Sequence, residues 1–230
     1  MLIIMSFLSS SLLSEINQSE KPIRPEKKHE KIGALVERFI ERSHYNHTKV
    51  DDKLSSLIFS KFIDNLDENR SYFTQDEINA FEMYRFKIDD MLGSDAIDPI
   101  YDIFNTYRKR ASERMEFALA LLEKEPDFTL QESFKFDRSD IEWPTTSIEL
   151  DEIWRKRVKN DSLSLILNDK NWDEAKEILI KRYERFSKQL NQINSDDIFE
   201  TFMNSVVHSL DPHSSYFSPR NSEEYQIQMS

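Results

Sequence analysis

From Glu30 onward, apolar residues recur every three or four positions, the spacing that lines one face of an α-helix. Leu35, Val36, Phe39 and Ile40 open the series. After a polar break Leu54, Ile58 and Phe62 continue it, so two short amphipathic helices are expected. A third is announced by Thr74 with Glu77, a pairing in which hydroxyl and carboxylate each satisfy an orphan backbone N–H at a helix start. Ile78, Phe81, Tyr84, Ile88 and Leu92 then line one face, and Gly93 supplies the stop. Asp98-Pro99 is expected to open the next helix, with Asp98 as cap and Pro99 at the first helical position. Its stripe of Ile100, Phe104, Tyr107, Ala111, Met115, Ala118 and Leu122 predicts about six turns or more, ending near Lys124.

Residues 125–146 break the periodicity. Pro126, Pro144, Phe128, Phe134, Phe136 and Trp143 are spread through polar sequence there, and so many aromatics imply an ordered excursion that shields them. Thr146 with Glu149 and Asn171 with Glu174 mark two further capped starts, the second followed by Ala175, Leu179, Tyr183, Phe186, Leu190 and Ile193. Ser195 is expected to cap a last full helix carrying Ile198, Phe202, Val206 and Leu210, which ends at Asp211-Pro212 because the residue before proline is biased away from the helical well. Ser218-Pro219 offers a fresh start for a short terminal helix through Tyr225 and Ile227. With only 2 Gly and 7 Pro there is almost no material for hairpins or phosphate-cradling loops, and no strand or repeat is evident. The expected fold is all-α: an irregular bundle or bowl of about seven helices with one ordered, aromatic-rich excursion.

Charge narrows the function. The 31 Lys and Arg face 43 Asp and Glu, and a formal charge of −12 repels polyanions, so no nucleic-acid partner is expected. Arg108-Lys109-Arg110 and Arg155-Lys156-Arg157 sit beside acidic neighbours and read as solvated helix faces. With no cysteine, disulfides and thiolate sites are excluded, while the redox compartment stays open. Residues 2–13 form an apolar, Ser-rich stretch the size of a signal-peptide core, too short to span a bilayer. The lack of a basic residue before the stretch and of an Ala-x-Ala site after it counts against a complete signal; an export signal with its true start lost is expected, and a disordered start is the alternative.

Candidate chemistry is sparse. Glu41 with His44 and His47 has the Glu-x-x-His spacing of di-iron bundles, but no second copy appears and a surface histidine pair is the better reading. Asp211, His213, Ser214 and Ser215 contain the residue types of a hydrolytic triad, yet neighbours in sequence rarely converge on the required geometry. A connector role fits them better: His213 and the hydroxyls bond the connector backbone, and Tyr216 and Phe217 anchor it to the helices. Lys53 with Ser56 is a Ser-Lys spacing that chance supplies, and the sequence around it, with Asp51 and Asp52 just before, offers neither the burial nor the Gly-rich oxyanion hole that activating such a lysine demands. Trp143, Trp154 and Trp172 are assigned to packing. No cofactor is expected, and no residue is assigned to catalysis or to a metal.

Several stretches together resemble a known family. His44-Tyr45, Leu66-Asp67, Phe136-Asp137-Arg138-Ser139 leading to Trp143-Pro144, residues 194–199 and above all residues 210–221 look like the helical amino-terminal region of carboxy-terminal processing, or tail-specific, proteases of Gram-negative periplasms. They occur in that family's order. The resemblance implies a noncatalytic helical scaffold in a serine-type peptidase that trims or degrades proteins from their carboxyl tails. In the family this scaffold precedes a PDZ domain and a Ser-Lys protease core, to which no position here corresponds.

The expected organisation is therefore a signal remnant and flexible segment at 1–28, a helical domain at 29–211, and a connector with short helix at 212–230. Asp211, Pro212, His213, Tyr216 and Pro219 are the structural connector residues. By resemblance the partners are the downstream PDZ and protease domains, unfolded or tagged substrates and a lipoprotein adaptor, and the location is periplasmic. Whether the chain is a fragment, a split gene or a free-standing domain stays open. The rival is a stand-alone helical module that binds proteins in an aromatic groove.

Overall fold

A computed structural model describes residues 21–43 and 49–229. Among the described residues there are nine α-helices and no strand: α1 (Lys27–Ser43), α2 (Asp52–Asp67), α3 (Gln75–Phe81), α4 (Ile88–Met91), α5 (Asp98–Leu121), α6 (Ser147–Ile166), α7 (Trp172–Gln192), α8 (Ser195–Leu210) and α9 (Pro219–Met229). A 3-10 turn, Glu82–Tyr84, follows α3. Seven of the helices have eleven residues or more, so the all-α expectation holds. Among the described residues no helix is long and apolar enough to cross a membrane.

The spine is α5, about 36 Å long at 1.5 Å per residue. Its first half, through Ile100, Tyr101, Ile103 and Phe104, packs into a core shared with α1, α2, α4 and α8. Its second half, through Met115 and Ala118, packs with Trp154 and Val158 of α6 and Leu179 and Tyr183 of α7. Tyr72 joins the two clusters, its ring 5.3 Å from Tyr107 and 5.7 Å from Trp154.

Both glycines of the chain serve one crossing. Gly93 has φ +78, and a Cβ on it would lie 2.7 Å from the Ala34 Cα; a Cβ on Gly33 would lie 2.8 Å from the Gly93 nitrogen. Backbones approach here as only glycine permits.

The structure alters several expected elements. The helix expected from Thr74 to Leu92 starts with its reciprocal cap but divides into α3, the 3-10 turn and α4. Tertiary bonds override the periodicity: Arg85 lies 4.6 Å over the Phe59 ring and donates to Ser60, while the Ser55 hydroxyl and Asp89 exchange two hydrogen bonds that tie α4 to α2. Asp98 is not a cap but the first helical residue, after Ile97, with Pro99 following it. Ser195 is not the cap of α8 either. Asn194 is, in a reciprocal pair with Asp197, and the Ser195 hydroxyl instead donates to Arg24 O at 2.6 Å. Leu35 and Phe39 face outward from α1, whose buried side carries His29, Gly33 and Ile40.

Residues 125–146 contain no helix, and their aromatics are less shielded than expected. Trp143 packs on the core with the Arg70 guanidinium 5.4 Å from its ring, whereas Phe134 and Phe136 pack on each other and Phe136 is 70% exposed. Charge holds the segment instead: Glu132 pairs with Arg155 and with Lys159, the latter at 2.6 Å, and Lys159 also donates to Leu130 O.

Candidate functional site: the strap after α8

Proline chemistry ends α8. Asp211 turns to φ −152 and ψ 120, its N–H still closing onto Val207 O, and Pro212 cannot continue the helix. The Asp211 carboxylate then organises the reversal, accepting from the His213 N–H at 3.1 Å and the Ser214 hydroxyl at 2.8 Å, while Ser214 N–H reaches Asp211 O. The chain returns along α8. Asn204 holds both backbone groups of Tyr216, accepting from its N–H at 2.9 Å and donating to its carbonyl at 3.0 Å. One turn earlier, Glu200 accepts from the Ser218 N–H at 3.0 Å and from Asn221 Nδ2 at 2.7 Å. The Tyr216 ring stands edge-on to Phe199, 5.7 Å away, and burial pushes its phenol pKa up. Pro219 then opens α9, with the Asn221 N–H 3.5 Å from the Ser218 hydroxyl.

Between this strap and the helices lies an apolar groove of about 300 Å³. Val36, Phe39 and Ile40 of α1 form one wall, Val207 and Leu210 of α8 the floor, and Ser214, Ser215 and Tyr216 the other wall.

A buried polar network fixes α1 beside α8. His29 is 1% exposed and stacks on Phe199 at 4.4 Å; its Nδ1 lies 3.1 Å from the Glu26 backbone nitrogen, and its Nε2 lies 2.8 Å from the Asp196 carboxylate. Tyr101 Oη lies 2.8 Å from Nδ1 and donates to Ser195 O at 3.0 Å. Burial is the largest influence on Asp196, but its bonds from Lys28 and His29 together outweigh that and lower its pKa. Residues 21–26 complete the network along α5: Asn105 exchanges two hydrogen bonds with Ile23, and Arg24 pairs with Asp102 at 2.8 Å.

The expected site residues are thus placed as follows. Asp211 and Tyr216 are fully engaged in the strap, Pro212 and Pro219 bound it, and His213 contributes its N–H while its ring is exposed. The Ser214 hydroxyl bonds the Asp211 carboxylate rather than the backbone. His44 and His47 lie outside the described residues, so the Glu41 pairing is not placed; among the described residues no group of three His, Asp or Glu side chains converges on a metal position. Lys53 is exposed, and the Ser56 hydroxyl accepts from Arg85. Trp154 is buried, its indole N–H donating to Ser71 O at 2.7 Å, and Trp172 packs on the same cluster. Glu200, Asn204, His29 and Asp196 are the contributors that helical periodicity did not reveal.

A family model for the tail-specific protease N-terminal domain matches residues 36–220. The chain belongs to that family. A tail-specific protease from Haemophilus influenzae (strain ATCC 51907 / DSM 11121 / KW20 / Rd) is 38% identical over 185 residues, covering 80% of this chain and 27% of that relative. The chain therefore spans about a quarter of the relative's length. The tail-specific protease match takes in both core clusters and the whole strap, stopping at the second residue of the helix that Pro219 opens.

Proposed function

We propose that this chain is the noncatalytic helical scaffold of a periplasmic, carboxy-terminal processing serine peptidase, and that it orients a PDZ domain and a Ser-Lys protease core acting on unfolded or tagged tails. The carrying observation is a family match that spans residues 36–220, from the folded body into a strap seated on it. Asp211, Pro212, His213, Tyr216 and Pro219 form the mount between the body, residues 29–211, and what α9 leads to. A lipoprotein adaptor would dock on the same body.

The test is reconstitution. The purified chain mixed with an unfolded protein bearing an apolar carboxyl terminus leaves it intact, whereas the chain joined to the region that follows in the Haemophilus relative cleaves it. Turnover by the chain alone overturns the scaffold reading. An export-dependent reporter fused after residue 28 tests the periplasmic placement separately, and a silent fusion refutes it.

A further inference from the structure

The strap and α8 match in spacing. Glu200 and Asn204 are four residues apart on a helix, a rise of about 6 Å, and the residues they hold, Ser218 and Tyr216, are two apart on a non-helical segment, about 6.6 Å if extended. Two adjacent rungs therefore align without strain, and the order of partners makes the strap antiparallel to α8. The rungs differ in kind. Asn204 presents its amide oxygen to a donor and its amide nitrogen to an acceptor, so it holds the N–H and the carbonyl of Tyr216 together and rejects a slip that offers two like groups. Glu200 binds one N–H of the strap and one side chain of α9, so it spans the junction where Pro219 starts the helix.

We propose that Asn204 and Glu200 are positioning residues that lock the register of the strap and thereby set the direction of α9 relative to the helical body. The strap is a fixed bracket rather than a hinge. Only the consequence for a following domain rests on the scaffold reading; the lock belongs to this chain. Tyr216 seats the bracket through its ring, but one ring contact leaves rotation about the strap axis open. The two polar rungs close it. Ser218 is 4% exposed, so its N–H cannot stay unpaired where it lies; lifting the strap into water relieves that cost, and loss of the rungs therefore loosens the strap rather than the body.

The full chain contains no cysteine, so spin labels can be placed at exposed Glu116 of α5 and exposed Glu223 of α9 through Glu116→Cys and Glu223→Cys. Pulsed dipolar spectroscopy should give one narrow distance distribution in the parent. Glu200→Ala with Asn204→Ala should broaden it at least about twofold while helical content and the unfolding midpoint of the body hold. Glu200→Gln keeps an acceptor for Ser218 and should restore most of the narrowing; Asn204→Asp keeps the acceptor for Tyr216 but not the donor, and should fall between. Should the double alanine variant not fold, these two single variants carry the test. A broad distribution in the parent, or equal widths in all variants, overturns the lock. Neither result bears on whether the chain cleaves peptides, so the scaffold reading stands or falls separately.

Discussion

Replacing Asp67 by alanine should cost about 3–4 kcal/mol of stability, and the structure shows where that cost arises. Asp67 ends α2 and is 2% exposed. One carboxylate oxygen accepts from the Ser71 N–H at 2.8 Å, and the other from Tyr72 and Phe73 at 2.8 and 2.9 Å. Arg70 adopts φ +48 to aim these three N–H groups inward. Alanine leaves them without an acceptor, and each buried, unsatisfied donor costs about 1–3 kcal/mol. Relief of the buried charge, and water reaching the half-buried Tyr72 amide, offset part of the sum. The loop joins both cores, since Phe73 packs on Phe81 and Trp143 while Ser71 O holds the Trp154 indole. Urea unfolding followed by tryptophan fluorescence at pH 7 therefore measures the loss directly. A cost below about 1 kcal/mol would refute the assignment of the loop to this carboxylate.

The pH dependence gives an independent check. Burial raises the Asp67 pKa, with the backbone bonds from Ser71, Phe73 and Tyr72 opposing it. The folded chain thus holds the proton to higher pH than the unfolded chain does, so this group's contribution is fullest in acid and falls as pH rises through its folded pKa. The stability gap between the parent and Asp67→Asn should narrow over that interval and then level. A gap that widens with rising pH would contradict burial as the dominant influence.

At the glycine crossing, Gly93→Ala should cost about 2 kcal/mol or more, because the added Cβ meets a positive φ and the Ala34 backbone together; an unchanged thermal midpoint would refute the close approach. His29→Ala should cost about 2–4 kcal/mol by urea titration, and a double-mutant cycle with Asp196→Ala should show coupling of about 1 kcal/mol, with none expected if the two merely neighbour each other. Glu132 is held down to about 2 by its bonds from Arg155 and Lys159, so its contribution is complete above the ordinary carboxylate value and is lost as pH falls through about 2. Glu132→Gln should speed amide exchange across residues 125–146 at neutral pH. The difference from the parent should vanish near pH 2.

Much of the fold could be read from the sequence because helix starts are local chemistry. Thr74 with Glu77 and Asn171 with Glu174 cap as their spacing demands, and Pro212 stops α8 by stereochemistry alone. The readings that shifted did so where a distant partner decided. Asn194 and Ser195 are both good caps, and the choice between them rests on Arg24 O, 171 residues away, which takes the serine hydroxyl. The stripe from Ile78 to Leu92 is periodic enough for one helix, yet Ser55 and Arg85 bind it to α2 in three pieces. Phe134 and Phe136 looked like core because aromatics usually are; Glu132, an ion-pairing residue among them, carries the excursion instead.

The site divides along the same line. Asp211-Pro212 announces a reversal, and a reversal places the returning strap beside the helix it has just left. Such a strap forms no ladder with a helix, whose own backbone groups are already paired, so its inward N–H and carbonyl groups require side-chain partners. Those partners must lie about four residues apart on α8 and as far before Asp211 as the strap runs beyond it. That reasoning demands polar residues near positions 200 and 204, where Glu200 and Asn204 stand. It does not say which of α8's polar positions face the strap, because Ser205 and Thr201 sit beside them and turn their hydroxyls back onto the helix itself. The buried face of α8, with Ile198, Phe199, Phe202, Met203 and Val206, sets that rotation, and within it the Phe199 ring meets both Tyr216 of the strap and His29 of α1. The strap's seat is therefore decided by the opposite end of the chain, beyond the reach of any local pattern.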